Sequence, residues 1–523
     1  MIVKAILSTT AILLWLSGVM TLAQPEDFVG GVYTMTNDPE GNAVLAYGRR
    51  ANGTIEFLGQ IATGGAGTGI VGSGFPFFDT GDGLDPLQST YAVQLSEDRQ
   101  FLFVLNGGSA SISSFVIGAD FVPVLTDVTP VRGFGPSSIA QRGDMIYVSS
   151  IDADGMFAGS LGEVGLIEAF RLTAFGRLVP ISNSLRLLTN RPAGLDVSLD
   201  GNFLIVTSLN AGSAGTPASP SFVDDDNSVV VFGLDDNGLP SLAPLSAGIS
   251  ISPADQPDRA ITLALGLETI AQDGRQFAVV TEARSVALPD GTPVPTLTPG
   301  FPGPGVIPLF QPGGVSSWEI LPSGELVLID AVPVNDVVSE TTVLGSGQSA
   351  TCWIQFSNDG SLFWVVNTID SSISAFRFEA GEIALIEEVV AQGNGLGDAP
   401  PDMVTPPDAA DGMAIPRPSL LFGFADKVTT EGLGPEAAAG PGVEADSFGG
   451  APNTLLGGTD GFLDFRISDD GRFLYQTLGL ARGILVYRID EPGPDGAGGG
   501  LTLIQEVLTP ELPAFNIQGI DAF

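Results

Sequence analysis

Histidine does not occur in this chain of 523 residues. Its absence removes Ser-His-Asp and Cys-His catalysis, and metal ligation by imidazole, from the available chemistries. Lysine occurs only at Lys4 and Lys427, so the formal charge of −40 reflects a shortage of base rather than an excess of acid. A surface of that sign repels nucleic acid and anionic membrane, and neither is expected as a partner. Cys352 stands alone, which excludes an intrachain disulfide. With no His or Lys beside it to lower its pKa, it reads as a packing residue rather than a reactive thiol. Long stretches with apolar residues at helical spacing are missing too.

What the chain does have is glycine (69), proline (38) and a hydrophobic content of 44%. That composition, rich in Val, Ile and Phe, favours many short strands joined by tight turns. The opening MIVKAILSTTAILLWLSGVMTLAQ carries one Lys, an apolar run from Ala5 to Val19, and Thr21-Leu22-Ala23 before Gln24. This is the layout of a secretory signal cleaved after Ala23. Residues 1–23 are therefore expected to be removed and residues 24–523 to form one exported domain. It would be extracellular, or periplasmic in a Gram-negative host, free of the membrane after cleavage and monomeric.

Self-similarity dominates the rest. LSEDRQFLFVLNGGSASISSFVI (95–117), SNDGSLFWVVNTIDSSISAFRF (357–378) and SDDGRFLYQTLGLARGILVYRI (468–489) share a polar turn, a strand, a small polar loop and a second strand. Three longer versions lie between them. Each unit adds a strand before its turn, such as TYAVQL or LDFRIS, and closes on another, such as FVPVLTDVTP or LTLIQEVLTP. Four strands, A to D, recurring about every 40–45 residues are the mark of a β-propeller blade. Six units are complete. The first, GVYTMTN, NAVLAYGRR and TIEFLGQIAT, lacks strand A, and the closing IQGIDAF is a strand A with nothing after it. Together they predict a seventh blade that closes the ring and removes its open edges. The fold class is all-β, a seven-bladed propeller of four antiparallel strands per blade.

The phrases VYTMTNDPEGNAV, DGRFLY, SISAFRF and SATCWI resemble the seven-bladed lactonase family, which includes 6-phosphogluconolactonase-like proteins and carboxymuconate cyclases. The resemblance runs from about Glu26 to Phe523. It implies the same propeller, and an enzyme that hydrolyses or forms a lactone of a small sugar-derived or aromatic-derived carboxylic acid. Lactonases of this family carry a Gly-Pro-Arg-His phrase on one A strand and a Val-x-Glu ending the next B strand. Here VVTEARS supplies Glu282 for the second element. The first falls on Ala264, Leu265, Gly266 and Leu267, so an Arg-His pair is not available to hold an anion.

Alternating strands send the D-to-A and B-to-C connections to one face and the A-to-B turns to the other. The long insertions, residues 64–88, 152–164, 210–227, 284–314 and 393–458, are all of the first kind, and so crowd one mouth of the central channel. Registering the A strands on their turns places Gln94, Ser138, Asp196, Thr269, Gln355 and Arg466 at equivalent points along the channel. Gln88, Ser349, Asp460 and Gln518 fall nearer the loop-rich mouth. In this reading Glu282 or Asp196 acts as general base, and Arg466 holds a carboxylate or a developing oxyanion. The same polar residues could equally serve a water-filled structural channel. A second functional reading is a non-catalytic secreted propeller that binds a protein or glycan through its long loops.

The remaining motifs have plainer explanations. Gly67-x-Gly69-x-x-Gly72 spells a dinucleotide fingerprint but leads into GFPFFDTGD rather than a helix. Arg142-Gly143-Asp144 occupies an A-to-B turn. Asn52-Gly53-Thr54 is a glycosylation sequon on a C-to-D turn. No motif calls for a cofactor. Asp79, Asp82 and Asp85, and the run Asp224 to Asn227, are oxygen-rich enough for Ca²⁺ or another divalent metal but lack EF-hand spacing, so no residue is assigned as a metal ligand. The expected partner is a small-molecule carboxylate or lactone.

Overall fold

The computed structural model describes residues 28–69, 87, 89–152, 164–188, 192–208, 229–248, 262–284, 313–334, 351–368, 371–393, 461–479, 483–491, 498–508 and 517–523. The expected signal segment, most of the long insertions, both acidic loop clusters, and Gln88, Ser349 and Asp460 lie outside these residues.

The described chain opens with β1 (Phe28–Met35), β2 (Ala43–Arg50) and β3 (Ile55–Ala62). A second unit follows as β4 (Val93–Leu95), β5 (Phe101–Asn106), β6 (Ser111–Ile117) and β7 (Pro123–Pro130). The third is β8 (Phe134–Arg142), β9 (Met145–Asp152), β10 (Val164–Leu172) and an outer strand broken into β11 (Leu178–Pro180) and β12 (Arg186–Leu188). Next come β13 (Pro192–Val197), β14 (Phe203–Ser208), β15 (Val229–Gly233) and β16 (Ser246–Gly248), then β17 (Thr262–Gln272), β18 (Arg275–Arg284), β19 (Gly314–Ile320) and β20 (Leu326–Pro333). The sixth unit is β21 (Thr351–Phe356), β22 (Leu362–Asn367), β23 (Ser372–Glu379) and β24 (Glu382–Gln392). The last full unit is β25 (Phe462–Ile467), β26 (Phe473–Leu478), β27 (Gly483–Ile489) and β28 (Leu501–Leu508).

Each unit is its own antiparallel sheet, and β29 (Gln518–Ala522) pairs with β1 to give the order β29-β1-β2-β3. The pairing runs Val32 to Ala522, Tyr33 to Asp521 and Thr34 to Ile520. Seven blades close as the sequence predicts. Arg49 clamps the closure from the second strand, its Nε donating to the Phe523 carbonyl oxygen at 2.6 Å and its Nη1 to Asp470 of the neighbouring blade at 3.2 Å.

The repeated turn phrase has a clear physical basis. In Ser96-x-Asp98, Ser198-x-Asp200, Ser357-x-Asp359 and Ser468-x-Asp470 the serine hydroxyl donates to the aspartate at 2.6–2.7 Å. It then accepts the amide that starts the next strand, from Phe101, Phe203, Leu362 or Phe473. These turns satisfy their own backbone and leave short connections on that face. Blades three and five instead turn on two residues, Gly143-Asp144 and Asp273-Gly274.

The core lies between blades. Met145, Tyr147, Ile167 and Ala169 of the third blade, for example, pack with Leu195, Leu204, Val206 and Phe232 of the fourth. Among the described residues no helix is long and apolar enough to cross a membrane.

Candidate functional site

The innermost strands, β4, β8, β13, β17, β21, β25 and β29, do more than line the channel. Their polar side chains tie each blade to the next. Ser138 accepts the Leu195 amide at 3.1 Å, and Asp196 accepts the Thr269 amide at 2.7 Å. Glu268 accepts the Phe356 amide at 2.8 Å, Asp464 the Gly519 amide at 2.8 Å, and Asp521 the Leu95 amide at 2.7 Å. An amide at the inner edge of a blade has no partner within its own sheet, so a carboxylate from the adjacent blade satisfies it.

This register differs at one point from the expectation. Glu268, rather than Thr269, stands level with Gln94 and Gln355, because Glu268 and Asp521 meet the amides that follow those two glutamines. The two-residue Asp-Gly turn of the fifth blade is shorter than the Ser-x-Asp turns, which shifts its count by one. Thr269 is buried and turned aside, donating its hydroxyl to Asp196 at 2.8 Å and to the Val197 carbonyl at 2.9 Å.

Arg466 is the cation of this layer. It contacts Asp521 through Nε at 2.9 Å, and its guanidinium lies 5.7 Å from the centre of the Tyr91 ring. Glu268 and Asp196 lie close enough to act on its charge. Its side chain keeps 21% of its surface accessible, and its terminal nitrogens have no hydrogen-bond partner among the described residues. Burial depresses its affinity for a proton, but Asp521, Tyr91, Glu268 and Asp196 more than offset that, so it stays a cation.

The two carboxyls facing it are perturbed mainly by loss of solvent. Burial pushes Asp196 up from 3.8 to about 6, against the pull of its hydrogen bonds from Thr269 and Val197 and of Arg466. Burial pushes Glu268 up further, from 4.5 to about 8, with Arg466 opposing the rise and Asp196 adding to it. Near neutral pH Glu268 is thus mostly a carboxylic acid and Asp196 mostly a carboxylate, a division of labour that suits acid–base chemistry. Among the described residues only one Glu268 oxygen, Oε2, has a hydrogen-bond partner.

Of the residues singled out from the sequence, Arg466 and Asp196 are brought together, and Gln94, Ser138 and Gln355 share their layer. Glu282 is not brought to them. It is fully enclosed on β18, where it accepts the Ser316 hydroxyl at 2.8 Å. Its neighbour Thr281 bonds the Cys352 carbonyl, whereas Glu268 meets Phe356 four residues further along β21, about 13 Å by strand geometry. Gln518 is buried, and neither its oxygen nor its nitrogen finds a partner among the described residues. The slot at Ala264 to Leu267 is a β-bulge, where a Cβ on Gly266 would fall 2.4 Å from the Cys352 carbonyl oxygen. Gly67 of the glycine-rich phrase packs on the Asn37 backbone. Glu268, Tyr91, Asp464 and Asp521 were not singled out from the sequence.

No protein-family model matches the chain, and no curated protein sequence matches it. Solved structures do. A putative 6-phosphogluconolactonase of Bacteroides fragilis superposes with a TM-score of 0.51 at 13% identity, covering 96% of this chain and 99% of that one. A protein from Lactobacillus plantarum gives 0.51 at 12% identity, covering 94% and 99%. The periplasmic gluconolactonase of Pseudomonas aeruginosa gives 0.49 at 13% identity, covering 94% and 98%. At these identities the likeness is one of fold alone, a seven-bladed propeller.

Proposed function

We propose that this propeller is exported and opens or closes a lactone of a small hydroxy acid in its central channel. The observation that carries the reading is Arg466, a partly accessible cation whose terminal nitrogens have no hydrogen-bond partner among the described residues, flanked by carboxyls whose proton affinities differ. In the hydrolytic direction Arg466 holds the carbonyl oxygen as it gains charge. Water adds to the carbonyl carbon and loses a proton to Asp196. The ring C–O bond breaks, and the departing oxygen takes the proton of Glu268. Proton return from Asp196 to Glu268 through lumen water restores both groups. Asp196 is thus the general base, one of the two groups expected from the sequence for that role, and Glu268 is the general acid.

A panel of aldonic and aromatic-acid lactones tests the reading. Turnover should rise with pH through about 6, as Asp196 ionises, and fall through about 8, as Glu268 loses its proton. Glu268→Gln should lower kcat by about 10²–10⁴, while Glu282→Gln should leave kcat within a factor of about two to three. A wild-type protein inert across the panel, with and without divalent metal, refutes the enzymatic reading.

A further inference from the structure

Three residues ahead of β4 reach five of the seven blades. The Ser89 carbonyl accepts the Trp353 indole N–H of the sixth blade at 3.2 Å. The Thr90 amide donates to the Ala193 carbonyl of the fourth at 3.0 Å, and the Tyr91 carbonyl accepts the Ile139 amide of the third at 3.2 Å. The Tyr91 hydroxyl donates to the Leu267 carbonyl of the fifth at 2.7 Å, and its ring faces Arg466 of the seventh. Second and fifth blades stand nearly opposite in a seven-membered ring, so Tyr91 spans the channel. Its φ of +61° is a conformation that a bulky residue adopts only when its surroundings impose it.

Accessibility divides at the same level. On the loop-rich side Ala193, Leu265, Trp353, Phe462, Leu463 and Ile517 are buried in one apolar cluster, and Ser89 and Thr90 are buried with them. On the other side Gln94, Asp196, Glu268 and Arg466 keep partial exposure, and Ala271, three residues beyond Glu268 on β17, is exposed. We infer that the channel is a blind basin, floored by Ser89–Tyr91 and open at the face of short A-to-B turns. The ligand of Arg466, a small carboxylate or lactone, therefore enters opposite the long insertions. Tyr91 is a positioning residue that floors the basin and backs Arg466. The ligand's identity rests on the reading given above; the direction of entry does not.

A thiol placed in the basin reads the route directly. In Gln94→Cys the anionic reagent sulfonatoethyl methanethiosulfonate should label position 94, while buried Cys352 contributes only a slow background. Adding Ala271→Trp at the short-turn rim should slow labelling at least tenfold, and adding Tyr91→Ala to that protein should restore it through the opened floor. An unchanged rate in Ala271→Trp, or a tenfold gain from Tyr91→Ala alone, overturns the inference. Ala271 is an exposed site, so its arm decides the matter even if Tyr91→Ala fails to fold. Gluconate should protect the introduced thiol from the reagent. Absent protection with the expected access pattern would overturn the carboxylate reading and leave the direction of entry standing.

Discussion

Replacing Glu268 by Gln should make this protein more stable, by an amount that grows with pH. Burial raises the carboxyl from 4.5 to about 8, so the folded state holds a proton that the unfolded state releases. A group raised in this way contributes its full stability below the unfolded pKa and loses it as pH climbs through the folded one. The interval covers three to four pH units at about 1.4 kcal/mol each, a ceiling of about 5 kcal/mol. Partial exposure to lumen water brings the expected gain of the variant to roughly 2–3 kcal/mol at pH 8. Glutamine keeps an oxygen for the Phe356 amide, so below pH 4.5 the two proteins should nearly coincide. Urea unfolding across that interval measures the difference at each pH. A difference that stays flat, or a variant that weakens as pH rises, would mean that attraction to Arg466 outweighs desolvation and that Glu268 is ionised in the folded protein.

Four further outcomes follow from the ring. Deleting residues 517–523 removes the inner strand of the first blade and the Phe523 oxygen held by Arg49; thermal unfolding should lose its cooperativity, whereas trimming a loose tail would move Tm by less than about 2 °C. Arg49→Ala leaves Asp470 and the Phe523 oxygen short of a donor at a site where the arginine is buried, and should cost about 2–3 kcal/mol in urea unfolding. The more exposed Arg99–Asp469 pair, at 2.6 Å, should cost under about 1 kcal/mol in Arg99→Ala. Ser468→Ala unties both the Asp470 acceptor and the Phe473 amide, for a loss of about 1–2 kcal/mol.

The propeller was legible because four of the blades write the same turn chemistry into the chain and the others repeat their strand pattern. Ser-x-Asp closes a turn through its own side chains, and the strand that follows begins at the amide the serine holds. A repeat built from such self-contained units survives insertions of any length between them, so even the unpaired IQGIDAF could be assigned to the blade that lacked a strand. The site was less legible, for reasons that lie in the spacing between units. Thr269 and Glu268 are neighbours, and only the length of the turn after them decides which faces the lumen. Tyr91 could not be found by counting at all, since its function in the fold depends on a backbone at φ +61° and an acceptor 176 residues away.

The carboxylates that close the ring and those that shape the basin belong to one set, and this limits how the site can vary. Asp521 takes the Leu95 amide and also holds Nε of Arg466. Asp196 takes the Thr269 amide while facing the same cation across the lumen. Replacing either aspartate leaves a blade-joining amide without its acceptor. Glu268 differs, because one oxygen serves the Phe356 amide and no described residue bonds the other. That spare oxygen can exchange a proton with a ligand while the blades stay joined, which makes Glu268, rather than either aspartate, the group on which a reaction in this basin would most depend.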